Sequence, residues 1–190
     1  GGRVNLMTLA PEREGSAEFI RRAVAAGVVI SIGHTATDAE ALTAAVDAGA
    51  TLSTHLGNGI VAELPRHPNP IWLQAAEDRL SASLIADGHH LGPAALRVLA
   101  RAKGWERLIL VSDAGWLAGL PAGNYGAWDV DPSGKIVLAG TPYLAGSALG
   151  LEMGLRVLDS VEQGFPRPLL DTVTINPARL LKKPEPRIAV

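Results

Sequence analysis

The chain has 190 residues, with 17 Lys and Arg against 19 Asp and Glu and a formal net charge of −2. At 47% apolar and 19% charged residues the composition is globular, and the near-neutral balance argues against nucleic acid or an anionic membrane as the main partner. No apolar run approaches the roughly 20 residues of a bilayer span, and the absence of cysteine excludes disulfides, thiolate metal sites and a cysteine nucleophile. The first residue is Gly rather than Met, with no charged and then apolar leader pattern behind it, as expected of a trimmed or incomplete start.

Short apolar runs alternate with helical patterns. Residues 4–9, 28–32, 51–54, 83–86 and 108–111 predict strands, most of them apolar at nearly every position, as in strands covered on both faces. Residues 16–26, 37–48 and 93–103 predict amphipathic helices, with Gly27, Gly49 and Gly104 where each should stop and Thr37 with Glu40 as a capping box. This order implies a parallel sheet joined by right-handed crossovers. The strand starts recur about every 23 to 32 residues, whereas a full (β/α)8 barrel takes about 250 residues. The expected fold is therefore α/β: a partial TIM-type barrel with the later strands only, forming a single domain over residues 1–190. Residues 118–146 are rich in Gly and Pro and predict a hairpin insertion, with strands at 127–130 and 136–139 around the turn Asp131-Pro132-Ser133-Gly134. Helical patterns at 148–162 and 174–181 follow.

Four polar residues fall where parallel α/β folds collect chemistry. His34 follows the strand at 28–32, His55 the strand at 51–54, His90 the strand at 83–86, and Asp113 the strand at 108–111. Taken singly, each histidine reads as an ordinary hydrogen-bonding loop residue, and Asp113 as a cap of the turn that follows. Taken together, His34, His55 and Asp113 suit a divalent metal, zinc first, with an open position for water and a carboxylate to move its proton. His89 should point away from its neighbour His90, His67 reads as a surface loop residue, and Trp72, Trp105, Trp116 and Trp128 read as core or rim packing.

These residues carry a resemblance. Gly33-His34-Thr35, Thr54-His55-Leu56 with Asn58, Ile85-Ala86-Asp87-Gly88 with His90, Ser112-Asp113-Ala114 and Asn176-Pro177-Ala178 stand in the order seen in the amidohydrolase superfamily. With Thr8-Leu9-Ala10-Pro11-Glu12 ahead and Leu144-Ala145-Gly146-Ser147 behind, the set resembles the N-acetylglucosamine-6-phosphate deacetylase family from about residue 5 to 181. The resemblance implies a (β/α)8 barrel, His34 and His55 as ligands of a divalent metal (most readily Zn2+), Asp113 as general base and acid, and His90 as a substrate contact. It also implies that Asn58 and Gly59 line the sugar phosphate site, and that the complete protein is a cytoplasmic homodimer in which Arg66 reaches a phosphate of its own or the neighbouring site. The family's upstream glutamate ligand and its β-sandwich are not in this sequence. After the second histidine the family shows an aromatic residue, Asn, Ala and Met; here Gly57, Asn58, Gly59 and Ile60 stand there, and Arg66 is the one arginine of the loop that follows. The departures fall on the substrate side.

The function expected is metal-dependent hydrolysis of the acetamide of an N-acetylated amino sugar, phosphorylated at position 6, to the amine and acetate. An amidohydrolase acting on another N-acyl or cyclic amide is the alternative, and a non-catalytic fragment that binds metal or sugar is the third reading.

Overall fold

The computed structural model describes residues 3–162 and 168–186. The chain divides into two compact units, one of Gly1–Leu84, Val98–Ile109 and Arg167–Val190, the other of Ile85–Arg97 and Leu110–Pro166. The expected alternation is present: β1 (Leu6–Leu9), α1 (Ser16–Ala25), β2 (Val29–Ile32), α2 (Ala39–Asp47), β3 (Leu52–Ser53), α3 (Pro70–Ala76), β4 (Ser81–Ile85), α4 (Pro93–Lys103) and β5 (Leu108–Val111). The five strands lie in chain order in one sheet, with β1 through β4 paired in parallel. Parallel neighbours cannot be joined by a tight turn, so an intervening helix returns the chain each time. Register sets the next level. Leu9 lies opposite Ile32, and Ile32 opposite Ser53, so the loops leaving β1, β2 and β3 start level with one another.

In the first unit the core is aliphatic. Ile20 of α1, Ile30 and Ile32 of β2, and Leu42, Ala45 and Val46 of α2 are buried together with Leu80. The i, i+3, i+4 spacing of Leu42, Ala45 and Val46 makes one apolar stripe on α2. Each fully buried isoleucine contributes about 1.5–3 kcal/mol of apolar transfer. The cap of α2 differs from expectation: Asp38, not Thr37, is the N-cap, its carboxylate accepting from the Ala41 N–H at 2.8 Å. The Thr37 hydroxyl donates instead to the Asp38 carbonyl at 3.0 Å. Helix α3 was not anticipated, although Asn69 caps it by accepting from the Ile71 and Trp72 N–H groups, with Pro70 in the first turn. In the same unit α6 (Ile175–Leu180) is tied down by Asn176, whose amide donates to the carbonyls of Trp105 and Leu108 at 2.7 and 2.8 Å.

The second unit holds an antiparallel sheet of β6 (Gly123–Asn124), β7 (Trp128–Val130), β8 (Lys135–Leu138) and β9 (Leu144–Ser147), followed by α5 (Leu151–Val161). The turn between β7 and β8 is the one expected, closed by the Asp131 carboxylate on the N–H groups of Ser133 and Lys135. Strands β6 and β9 flank that hairpin, and a small core of Leu117, Val130 and Ile136 lies beneath. Of the tryptophans expected in the core or at its rim, Trp116 is 67% exposed and meets Trp128 edge to face at 5.6 Å. Trp72 is also exposed, and Trp105 and Trp128 are half-buried. No helix among the described residues is long and apolar enough to cross a membrane.

One buried charge joins two helices of the first unit. Lys103, at the end of α4, is 1% exposed and donates to the carbonyls of Gln74 and Glu77 at 2.8 Å each, capping the carboxyl end of α3. Burial pushes its ammonium down from 10.5 to about 8, with the Arg107 charge adding to the effect. The unfolded chain therefore binds the extra proton between those two values, so Lys103 makes stability rise with pH from about 8 to 10.5. Lys103→Met keeps most of the packing but leaves two helix-end carbonyls unpaired, which costs roughly 1–3 kcal/mol at pH 10. Urea unfolding should show a smaller cost at pH 8 than at pH 10; equal costs at both values would contradict a depressed lysine.

Candidate functional site

The loops that leave β2 and β3 carry His34 and His55. Beneath them, Thr54 shares hydrogen bonds with the hydroxyls of both Thr8 and Ser31, so one hydroxyl cluster links the ends of the first three strands. Gly33 packs directly against this cluster. A Cβ there would lie 2.7 Å from the Thr54 Cβ and 3.0 Å from a Thr8 methyl, so a larger residue would force the strands apart. Beyond His34, the Glu12 carboxylate accepts from the Thr35 hydroxyl and, at 2.8 Å, from the Ala36 N–H. Burial would raise the Glu12 carboxyl, but these two donors prevail and hold it below its ordinary value. The His55 N–H donates to the Ser83 hydroxyl at 2.7 Å, and the Leu56 N–H to the Ser83 carbonyl at 2.9 Å.

So held, both histidines adopt left-handed backbone, with φ of 51° at His34 and 33° at His55. Such conformations cost a non-glycine residue about 1–2 kcal/mol and persist where surrounding contacts over-determine them. The result is convergence: Nε2 of His34 lies 3.0 Å from Nε2 of His55, with the rings nearly perpendicular at 83°. Two imidazoles bound to one zinc at about 2.0–2.1 Å would hold their nitrogens about 3.3 Å apart, so the pair fits as two donors to a shared ion. Among the described residues no group of three or more His, Asp, Glu or Cys side chains is placed to hold a metal.

Gly59 closes against the two rings. A Cβ there would fall 2.8 Å from His34 Nδ1 and 2.9 Å from His55 Cε1, and the residue is itself left-handed at φ 62°. Next to it, the Asn58 backbone N–H donates to the His55 carbonyl at 2.9 Å, while its side-chain Nδ2 is buried with no hydrogen-bond partner among the described residues. Arg66 stands exposed in the loop ahead of α3. His67, in the same loop, is exposed as expected.

A second constellation lies within the other unit. Asp87 follows β4 and is buried; its Oδ1 accepts from the N–H groups of His89 and His90 at 2.9 Å each, and its Oδ2 lies 2.8 Å from Nδ1 of His90. The other ring nitrogen of His90 lies 3.4 Å from Oδ2 of Asp113, so the imidazole stands between two carboxylates. Burial alone would depress the His90 imidazolium, but the hydrogen bonds and charges of Asp113 and Asp87 outweigh it and raise it to about 9. Burial likewise opposes ionisation of Asp87, yet the His90 ring and the two N–H groups hold its carboxyl well below the ordinary range. Asp113 is left-handed too, at φ 54°, with its carbonyl accepting from the Ser147 N–H at 3.1 Å. His89 turns the other way, its Nε2 at 3.2 Å from the Ser133 carbonyl of the hairpin turn.

The structure thus brings together His34, His55 and Gly59 in one unit, with Asn58 bonded to the His55 carbonyl, and His90 and Asp113 in the other. Asp87, Glu12, Ser83 and the Thr8–Ser31–Thr54 cluster carry these residues and were not singled out as positioning groups by sequence reasoning. For the hydroxyl residues a signal was available, since they interrupt runs that are otherwise apolar.

No protein-family model matches the chain. Among curated proteins, it is 33% identical over 180 residues to the N-acetylgalactosamine-6-phosphate deacetylase of Escherichia coli O157:H7, covering 94% of this chain and 48% of that protein. It is 37% identical over 158 residues to the N-acetylglucosamine-6-phosphate deacetylase of Bacillus subtilis (strain 168), covering 82% of this chain and 40% of that one. Among solved structures, it resembles an Asp-to-Ala variant of the N-acetyl-D-glucosamine-6-phosphate deacetylase from Mycobacterium smegmatis in complex with N-acetyl-D-glucosamine-6-phosphate. That match has a TM-score of 0.86 and 36% identity, over 97% of this chain and 50% of the other. The resemblance read from the motifs is thereby borne out, and the chain spans about half the length of the relatives it matches.

Gly59 offers a direct test of the histidine geometry. Gly59→Ala pays about 1–2 kcal/mol for left-handed backbone and also pushes on both rings. Gly27→Ala has the same backbone sign (φ 83°) with nothing within 4 Å, and serves as the control. Imidazole resonances of His34 and His55 should move in Gly59→Ala and stay in place in Gly27→Ala; unmoved resonances in both would contradict the contact.

Proposed function

We propose that this chain carries the later strands of a (β/α)8 barrel and part of the active site of a metal-dependent deacetylase. Its substrate would be an N-acetylated amino sugar 6-phosphate, N-acetylglucosamine 6-phosphate first, cleaved to the amine and acetate. The observation that carries the reading is the convergence of His34 and His55, Nε2 to Nε2, on two left-handed loops at the carboxyl ends of adjacent parallel strands. Relatives over nearly the whole chain are named as deacetylases of such substrates, and they include both the galactosamine and the glucosamine forms.

In this reading His34 and His55 would hold a divalent ion, zinc first among the ions that suit neutral imidazoles. When bound, the ion supplies Lewis-acid polarisation of the acetamide carbonyl and lowers the pKa of water. The protein's own residues do the rest. Asp113, its carboxylate 44% exposed, accepts the proton of the attacking water and returns it to the departing amine. His90, held beside Asp113, contacts the substrate. The free donor of Asn58 and the open backbone at Gly59 receive the sugar phosphate, and Arg66 supplies a guanidinium whose planar fork suits phosphate. The same reading makes the complete protein a homodimer and, because its substrate is a phosphorylated sugar, a cytoplasmic one.

The decisive test is acetate release from N-acetylglucosamine 6-phosphate by the intact protein. Asp113→Asn should retain bound metal and lose roughly 10²–10⁴-fold in kcat, because an amide cannot accept the water's proton. Near-normal turnover in Asp113→Asn would remove the proton shuttle from the account. Inactivity of the parent protein toward every 6-phosphorylated N-acetyl amino sugar would remove the substrate assignment.

A further inference from the structure

We propose that Asp87 is a positioning residue that keeps the proton on Nδ1 of His90 and thereby turns Nε2 of that ring toward Asp113. The inference rests on the deacetylase reading for its kinetic consequence, and on geometry for the rest. Asp87 belongs to the Ile85-Ala86-Asp87-Gly88 motif but has no part in the chemistry assigned above. Its two oxygens are divided. Oδ1 takes the N–H groups of His89 and His90, which fixes the carboxylate relative to the loop; Oδ2 is left for one partner, Nδ1 of His90 at 2.8 Å. An ionised carboxylate offers only acceptors, so a nitrogen facing it must carry a hydrogen. The Asp87 and His90 side chains are 5% and 6% exposed, so water does not compete for the bond. With Nδ1 committed, the ring cannot exchange its nitrogens, and the edge left at 3.4 Å from Asp113 is Nε2. Among the described residues, the ionisable partners of that ring are these two carboxylates. A histidine with one nitrogen clamped by a carboxylate presents the other in a single orientation, which is what a contact to substrate beside a proton-transferring aspartate requires.

Asp87→Asn separates positioning from folding. The carboxamide oxygen still accepts from both backbone N–H groups, and the loop is kept. The amide nitrogen then faces His90 as a donor and forces Nδ1 to give up its hydrogen. In the intact protein with 15N-labelled histidine, the His90 signals are assigned by their loss in His90→Asn. The wild type should show a protonated Nδ1, and Asp87→Asn an unprotonated one in a chain that still unfolds cooperatively. On N-acetylglucosamine 6-phosphate, kcat should fall about tenfold or more while KM changes less than about threefold. A protonated Nδ1 persisting in Asp87→Asn, an unprotonated one in the wild type, or a kcat within about twofold of wild type would overturn the proposal. If the parent protein hydrolyses no N-acetyl amino sugar phosphate, the function reading fails while the Nδ1 signals still decide whether Asp87 holds the ring.

Discussion

The hydroxyl of Thr54 meets those of Thr8 and Ser31 at the carboxyl ends of three parallel strands, and the two histidine loops rest on that junction. Parallel strands buried on both faces have few ways to fix the direction in which the chain leaves them. Here three hydroxyls satisfy one another, and the absence of a side chain at Gly33 lets β2 approach them closely. With Glu12 holding the segment after His34 and Ser83 holding the N–H of His55, each loop is restrained from more than one side. Left-handed backbone at both histidines is then enforced by many contacts at once, and the cost of about 1–2 kcal/mol at each is met by the surrounding strands.

The second constellation uses another device for the same end. Asp113 is also left-handed, but its support is a backbone bond from Ser147 at the end of the antiparallel sheet. The insertion-like sheet of β6 to β9 therefore contributes to placing a chemical group. His89 adds a tie between the loop after β4 and the turn at Ser133. Strain at His34, His55 and Asp113 coincides with the residues to which the motif resemblance assigns chemistry. Among the described residues just one other non-glycine residue, Lys182, has positive φ.

Much of the fold was legible because it is local. β5 lies at 108–111 as expected, and the other four strands of the parallel sheet differ from their predicted bounds by no more than two residues at either end. β3 shrank to Leu52 and Ser53 because only those residues pair with both neighbours. Helix α3 was missed because Asn69-Pro70 reads as a loop until the amide is seen to cap the first turn. β6 and β9 were missed because they are short, contain glycine, and exist through pairing with β7 and β8 rather than through their own pattern. At the site, positions after strands pointed to His34, His55, His90 and Asp113, since strand ends are visible in periodicity. Their supports were less legible: Glu12 and Ser83 bond residues far along the chain, and Asp87, though local to His89 and His90, showed only as part of a motif, so spacing did not give its role. Sequence left each tryptophan open between core and rim, and Trp116 takes the rim, packed edge to face on Trp128.

The central claim is that the two imidazoles meet at one ion through Nε2. X-ray absorption on the zinc-loaded intact protein tests it most directly, since imidazole rings give a countable outer-shell scattering pattern. The account predicts histidine nitrogens at about 2.0–2.1 Å, with one imidazole fewer in His55→Ala than in the parent. A zinc site whose imidazole count is the same in both proteins would contradict it.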